Sequence, residues 1–221
     1  MQMFYEEPSI KQVRVAIENI AQDNVRTCLQ FILLTGCRSS EAVGYKSPND
    51  DTTNYGITRD RVEIHEQLGE EAAVFRLRTA KRKGMPRFCA IPLSSNYEVW
   101  TRDIVKMFDG SPEPVWSFTR QRLHGVCVKA FDGMVYPIAK YLKGEKKNWD
   151  LIPEHWKPAR AHALRHFRAS DLSNFYGFDA QDLSMFLGWT MGTGSQMPSV
   201  ASRYITQRWQ RYFPKLLKTR R

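Results

Sequence analysis

Apolar residues recur along this chain on two different periods, and the periods change at places marked by glycine, proline and runs of polar residues. Ile10, Val13, Ile17 and Ile20 form one stripe at helical spacing, and Ser9 stands where a side-chain oxygen caps the first turn. A second helix is expected from Asp23 to Gly36, with Val25, Cys28, Leu29, Ile32 and Leu33 inward and the glycine ending it. Arg38 then falls at a helix-to-helix corner, and Ser39 or Ser40 can cap a short helix carrying Glu41. Residues 46 to 56 have no period and read as an exposed loop. The period then drops to two: DRVEIHE, AVFRLRT and RFCAIPL alternate apolar with polar positions, as in a small sheet with one wet face.

Helical spacing returns in the second half. Ser95 to Phe108 has Val99, Ile104, Val105 and Phe108 on its expected inner side, and Pro112 and Pro114 break the chain after it. Thr119 to Leu142 reads as a helix with Leu123, Val126, Val128, Phe131 and Ile138 inward and Pro137 as a kink or boundary. A polar connection, KGEKKNWDLIPEHWKP, leads to a helix ending at Gly177 and to another capped by Asp179. After the turn-forming segment TMGTGSQMPS, Ser199 starts a last helix through Tyr204 to Tyr212, followed by a basic tail, residues 213–221. The fold class is α+β, mainly helical, with a small three-stranded antiparallel sheet.

Composition narrows the setting. With 221 residues, 42% of them hydrophobic and 12% aromatic, the chain has material for a sizeable core in one domain. No apolar run is long enough to span a bilayer, and MQMFYEEPS lacks the layout of a signal peptide, so an intracellular protein is expected. Cys28, Cys37, Cys89 and Cys127 are scattered, which favours reduced core thiols over a zinc or redox motif, and no metal or cofactor is expected. Lysine and arginine number 33 against 23 acidic residues, a net charge of +10 that favours a polyanion partner through counterion release.

Within that frame a few residues carry chemistry. His162 and Arg165, three apart in AHALRHFRAS, share one face of a helix and can point at one phosphate. Arg38 and Glu41 on their own read as an ordinary ion pair. AKRKGMPR crowds Lys81, Arg82, Lys83 and Arg87 around a glycine at a hairpin tip, where a phosphate-facing role is plausible for all four and a lysine can deliver a proton. Tyr204, in SRYITQRW, supplies a phenol, although a lone tyrosine at such a place more often anchors a helix.

TGCRSSE, AKRKGMPR, HALRH, LGW and SRYI occur here in the order and roughly the positions found in the catalytic domain of tyrosine recombinases, the phage-type integrase family, which the chain resembles over about residues 8 to 212. The resemblance implies that fold for residues 1–221 as a single catalytic domain, without the DNA-clamping helical domain that usually precedes it. It makes Arg38 the first catalytic arginine with Glu41 bracing it, and His162 and Arg165 the family's histidine and second arginine. His166 follows as a buried supporting histidine. Trp189 occupies, in LGW, a place where most members carry histidine, and its indole can donate a hydrogen bond without shuttling a proton. Lys81 matches the hairpin lysine and Lys83 is the alternative; Tyr204 matches the nucleophile. The 15 residues from Trp189 to Tyr204 exceed the usual spacing, which keeps Tyr212 open as the alternative nucleophile and leaves cleavage in cis or in trans undecided.

The implied activity is site-specific recombination: cleavage and rejoining of duplex DNA through a covalent 3′-phosphotyrosine, without metal or ATP. Its implied partners are double-stranded DNA with a recombination site and further copies of the chain, as a tetramer on synapsed DNA in the nucleoid-associated cytoplasm. Two alternatives stay open: a type IB topoisomerase-like relaxing enzyme using the same chemistry, and a basic DNA-binding module in which the cations only hold phosphates.

Overall fold

One helix, α2 (Asp23–Thr35), is enclosed over its second half, where every residue from Cys28 to Thr35 is buried, as in a helix packed on all sides. The computed structural model describes residues 6–46, 53–54, 56–78, 86–137, 156–189 and 209–218. α1 (Ile10–Glu18) lays Val13 and Ile17 on α2, and its first turn is closed by a capping box between Ser9 and Gln12. α2 ends at Gly36, whose left-handed φ of 59° a residue with a Cβ resists. The chain then enters α3 (Ser39–Val43), with Arg38 itself in the capping position in place of either serine.

β1 (Tyr45–Lys46) and β2 (Thr53–Asn54) pair antiparallel, so the expected loop is bracketed by a short ladder. β3 (Val62–Gln67), β4 (Glu70–Arg78) and β5 (Pro86–Pro92) form the antiparallel sheet in the order β3–β4–β5. Leu68 and Gly69, both at positive φ, make the two-residue turn between β3 and β4, a geometry that matches the twist of paired strands. Phe75 on β4 meets Phe31 of α2 edge-on at 5.2 Å, which seats the sheet against the central helix.

α4 (Glu98–Val105) packs on α2 and β5, and α5 (Arg120–Ala130), capped by Thr119, packs on α6. Two inward assignments fail: Val99 is 70% and Val128 38% exposed, while Trp100 and Thr101 take the buried places on α4. The helix expected to Leu142 stops at Ala130, where Phe131 leaves helical geometry. The chain then becomes β6 (Val135–Pro137), paired with β7 (Trp156–Pro158), while residues 138–155 lie outside the described ones.

α6 (Ala161–Asn174) crosses α2, and α7 (Ala180–Leu187) packs on β5 and α6. The far end of the chain forms a 3₁₀ turn (Trp209–Arg211) and α8 (Phe213–Leu216) against β5. The first part of the basic tail docks on its own chain: Leu216 is buried, and Lys218 Nζ donates to Phe175 O at 2.8 Å. The architecture is α+β with a small three-stranded antiparallel sheet, and no helix among the described residues is long and apolar enough to cross a membrane.

Candidate active site

Where α2 ends and α3 begins, the chain delivers Arg38 and Glu41 together. Arg38 N–H donates to Glu41 Oε2 at 2.9 Å and Arg38 Nη1 to Oε1 at 2.7 Å, so one carboxylate holds both the backbone and the guanidinium of its neighbour. This is no solvent-washed pair. Glu41's side chain has no exposed surface and that of Arg38 is 19% exposed, so Arg38 presents one side outward from a buried brace.

Arg165 reaches the same place from α6. Its Nη1 donates to Gly36 O at 2.5 Å and its Nη2 to Leu187 O at 2.6 Å, which fixes the planar fork across the C-terminal ends of α2 and α7. The carbonyls there are the unpaired ones at the negative ends of two helices, a setting that tolerates a buried cation. Gly36 makes the approach possible: a Cβ there would stand 2.4 Å from Leu187 Cδ2. Two residues past Leu187, Trp189 is 40% exposed, and the Arg165 guanidinium carbon lies 5.7 Å from its ring centroid.

A third guanidinium completes the cluster. Arg87 on β5 is 2% exposed; it donates to Phe186 O and, at 3.4 Å, to Thr35 O, and its Nη2 lies 3.7 Å from Glu41 Oε2. The expected role of Arg87 as a DNA contact at the hairpin tip is therefore corrected, because the side chain is inside. β5 explains it: Arg87 shares a strand face with Cys89 and Ile91, both buried, while Phe88 points outward at 39% exposure.

Electrostatics register the crowding. Burial, and then repulsion from Arg87 and Arg38, pulls the Arg165 pKa below the ordinary arginine range, with Glu41 opposing. Burial alone would raise the Glu41 carboxyl, yet it is held below its usual value, first by Arg87 and then by the bonds and charge of Arg38. Burial pushes the Cys37 thiol between them up to about 12, with Glu41 adding to it, so it stays a neutral core group. Among the described residues three guanidinia, Arg38, Arg87 and Arg165, lie around the Glu41 carboxylate, with Arg38 hydrogen-bonded to it and Arg87 3.7 Å away. No family model matches this chain, and neither does any curated protein or solved structure.

Of the residues expected from sequence, Arg38, Glu41, Arg165 and Trp189 come together. His162 is exposed on the first turn of α6, three residues before Arg165. His166 is half-buried rather than buried: its ring lies 5.5 Å from that of Tyr136, with Nε2 3.2 Å from Glu7 Oε1. Tyr212 has no exposed surface; its hydroxyl donates to Phe88 O and accepts from Ala90 N–H, both at 3.1 Å, and burial raises its pKa well above the usual phenol value. A phenol so enclosed cannot meet a phosphate, which removes the alternative nucleophile. Lys81, Arg82, Lys83 and Tyr204 lie outside the described residues.

Sequence reasoning missed the interior role of Arg87 and all of Arg168. Arg168 Nε donates to Leu34 O at 3.1 Å and Nη1 to Asp171 Oδ2 at 2.9 Å, among the rings of Tyr97, Tyr176 and Phe186. For Arg87 the signal was present in the parity of RFCAIPL. For Arg168 it was the spacing of three from Arg165, which continues one face of α6.

Proposed function

We propose that this chain cleaves and rejoins duplex DNA through a covalent phosphotyrosine, as a site-specific recombinase. The observation that carries the proposal is the meeting of Arg38, Arg165 and Trp189, from three separate segments, in a cluster with more cations than anions. The net charge of +10 is consistent with a polyanionic substrate.

In this reading a DNA phosphodiester docks against Arg38, while Arg165, 3% exposed and bonded to two carbonyls, adds its charge from behind. The Tyr204 oxygen attacks phosphorus as its phenol proton passes to water, and the bond to the 5′ oxygen breaks; that oxygen leaves with a proton from Lys81, or from Lys83 in its place. Negative charge building on the non-bridging oxygens is met by the two guanidinia, by His162 and by the Trp189 indole N–H. Because both arginines are tied down before substrate arrives, little reorganisation is needed at the moment of reaction. The phosphotyrosine keeps the energy of the broken bond, so a 5′ hydroxyl can reverse the step without ATP. Double-stranded DNA and further copies of the chain are the partners this chemistry asks for.

The test is a denaturing gel of protein incubated with a nicked suicide duplex. A covalent adduct that forms with the wild type and is lost in Tyr204→Phe is the expected result. An adduct that survives Tyr204→Phe would sink the nucleophile assignment, and DNA binding without adduct on any substrate would favour a module whose cations only hold phosphates. Strand exchange between two marked duplexes, as against relaxation without site preference, separates a recombinase from a type IB topoisomerase-like enzyme.

A further inference from the structure

The last turn of α2 is capped three times over by arginines from elsewhere in the chain. Leu34 O accepts from Arg168, Thr35 O from Arg87 and Gly36 O from Arg165. Two of the three also reach the last turn of α7, Arg87 through Phe186 O and Arg165 through Leu187 O. Arg87 and Arg165 thus bridge the same two helix ends, each one residue apart from the other on both helices. Arg87 is the inner rung and alone among them extends to Glu41.

We propose that Arg87 is a positioning residue for the phosphate site, holding the α2 and α7 ends and the Glu41 brace at the separation that aims Arg38 and Arg165. The proposal deepens the strand-cleavage reading and rests on it. Three observations carry it. Arg87 comes from the sheet, and its hydrogen bonds tie β5 to the ends of both α2 and α7, on which β5 also packs. Its acceptors are the residues just before those that hold Arg165, so any shift at Thr35 or Phe186 is passed on at once to Gly36 and Leu187. Its Nε is buried with no acceptor among the described residues, and a cation with one donor left over is a poor way merely to fill a core.

A lysine keeps the charge but not the fork: one ammonium on a flexible stem cannot span two carbonyls and a carboxylate in fixed directions. The test compares wild type, Arg87→Lys and Arg87→Met on the nicked suicide duplex, with folding followed by circular dichroism and duplex affinity measured separately. Arg87→Lys should form adduct about 30-fold to 100-fold more slowly, the scale of a small misplacement of reacting groups, with duplex affinity within about threefold. Its rate should keep the wild-type acidic limb. Arg87→Met should in addition move that limb to higher pH, because Glu41, which faces Arg38, Arg87 and Arg165 as well as the neutral Cys37, loses the cation that most lowers its carboxyl.

A wild-type rate in Arg87→Lys overturns the proposal. So does a rate loss that equals the unfolded fraction while the acidic limb of Arg87→Met stays in place, since that is what a purely structural residue would give. If Arg87→Lys does not fold, Arg87→Gln is read in the same way, and failure of both to fold assigns Arg87 to structure alone. If the wild type itself forms no adduct, the strand-cleavage reading falls, and positioning is judged on inorganic phosphate by calorimetry. About tenfold weaker binding in Arg87→Lys then supports it, and equal binding overturns it.

Discussion

The two ends of α7 hold two charge clusters built on opposite plans. At its start, Asp179 caps the helix and, with the fully buried Asp182, meets Arg211 and Lys215: Arg211 lies 2.8 Å from each carboxylate, and Lys215 Nζ 2.5 Å from Asp182. Two anions meet two cations, at a helix N-terminus that itself favours negative charge. At its end, Glu41 is held by Arg38 at 2.7 Å and approached by Arg87 at 3.7 Å, while Arg165 beside them is bonded to the main-chain carbonyls of Gly36 and Leu187. The first cluster is complete without any partner and ties the far end of the chain to α7. Among the described residues the second carries more cations than anions, the imbalance on which the proposed phosphate site rests. Burial does not distinguish the two clusters, since each contains a fully buried carboxylate; the balance of charge among the described residues does.

The largest test of that contrast is at the unbalanced end. Arg165→Lys keeps a positive charge but cannot bridge Gly36 and Leu187, and adduct formation should fall about 10²-fold to 10³-fold, the usual cost of losing a preorganised donor, while duplex affinity drops far less. An equal loss of affinity and rate would mean that Arg165 only holds DNA. At the balanced end, Asp182→Ala removes the capping-box partner and leaves Arg211 and Lys215 without their buried anion. Thermal or denaturant unfolding should show a loss of about 2–3 kcal/mol, with adduct formation per folded molecule unchanged. A selective loss of activity there would erase the distinction between the two ends.

The smallest effect belongs to Asp179→Asn. Asparagine still caps, and the lost pairings are solvent-exposed, so stability should fall by only a few tenths of a kcal/mol, roughly 0.5 at most. The pH dependence has a definite sign. Asp179's carboxyl is lowered, first by the N–H of Asp182 and then by Arg211, so its contribution is present above the ordinary value of 3.8 and is lost as pH falls through the folded one. The gap between Asp179→Asn and wild type in chemical denaturation should therefore close in acid. A gap that widens there would show that the charge is not what Asp179 contributes.

The elements were legible from sequence wherever period and punctuation agreed. Ser9 and Asp179 cap as their positions suggest, Gly36 ends α2, and the three alternating runs form the three-stranded sheet. Errors came where polarity stood in for direction. Val99 and Val128 are apolar yet lie on outward faces, and Arg87 is charged yet sits on the inward parity of β5, because strand alternation fixes which way a side chain points whatever its chemistry. Of the candidate site, Arg38, Glu41, Arg165 and Trp189 were nameable from short motifs. The carbonyl ladder that fixes them was not, since it depends on two helix ends meeting across more than a hundred residues of chain.

Tyr212 matters in a way unrelated to any nucleophile. β5 is an outer strand of its sheet, and an unpaired strand edge is a template onto which another polypeptide can zip. By donating to Phe88 O and accepting from Ala90 N–H, the one phenol occupies a carbonyl and an amide of that edge, while Phe178 and Phe186 pack around its ring. A single hydroxyl thus stands in for a fourth strand. Losing it would expose a sticky edge before it altered any chemistry, so the first symptom of damage at this position should be aggregation.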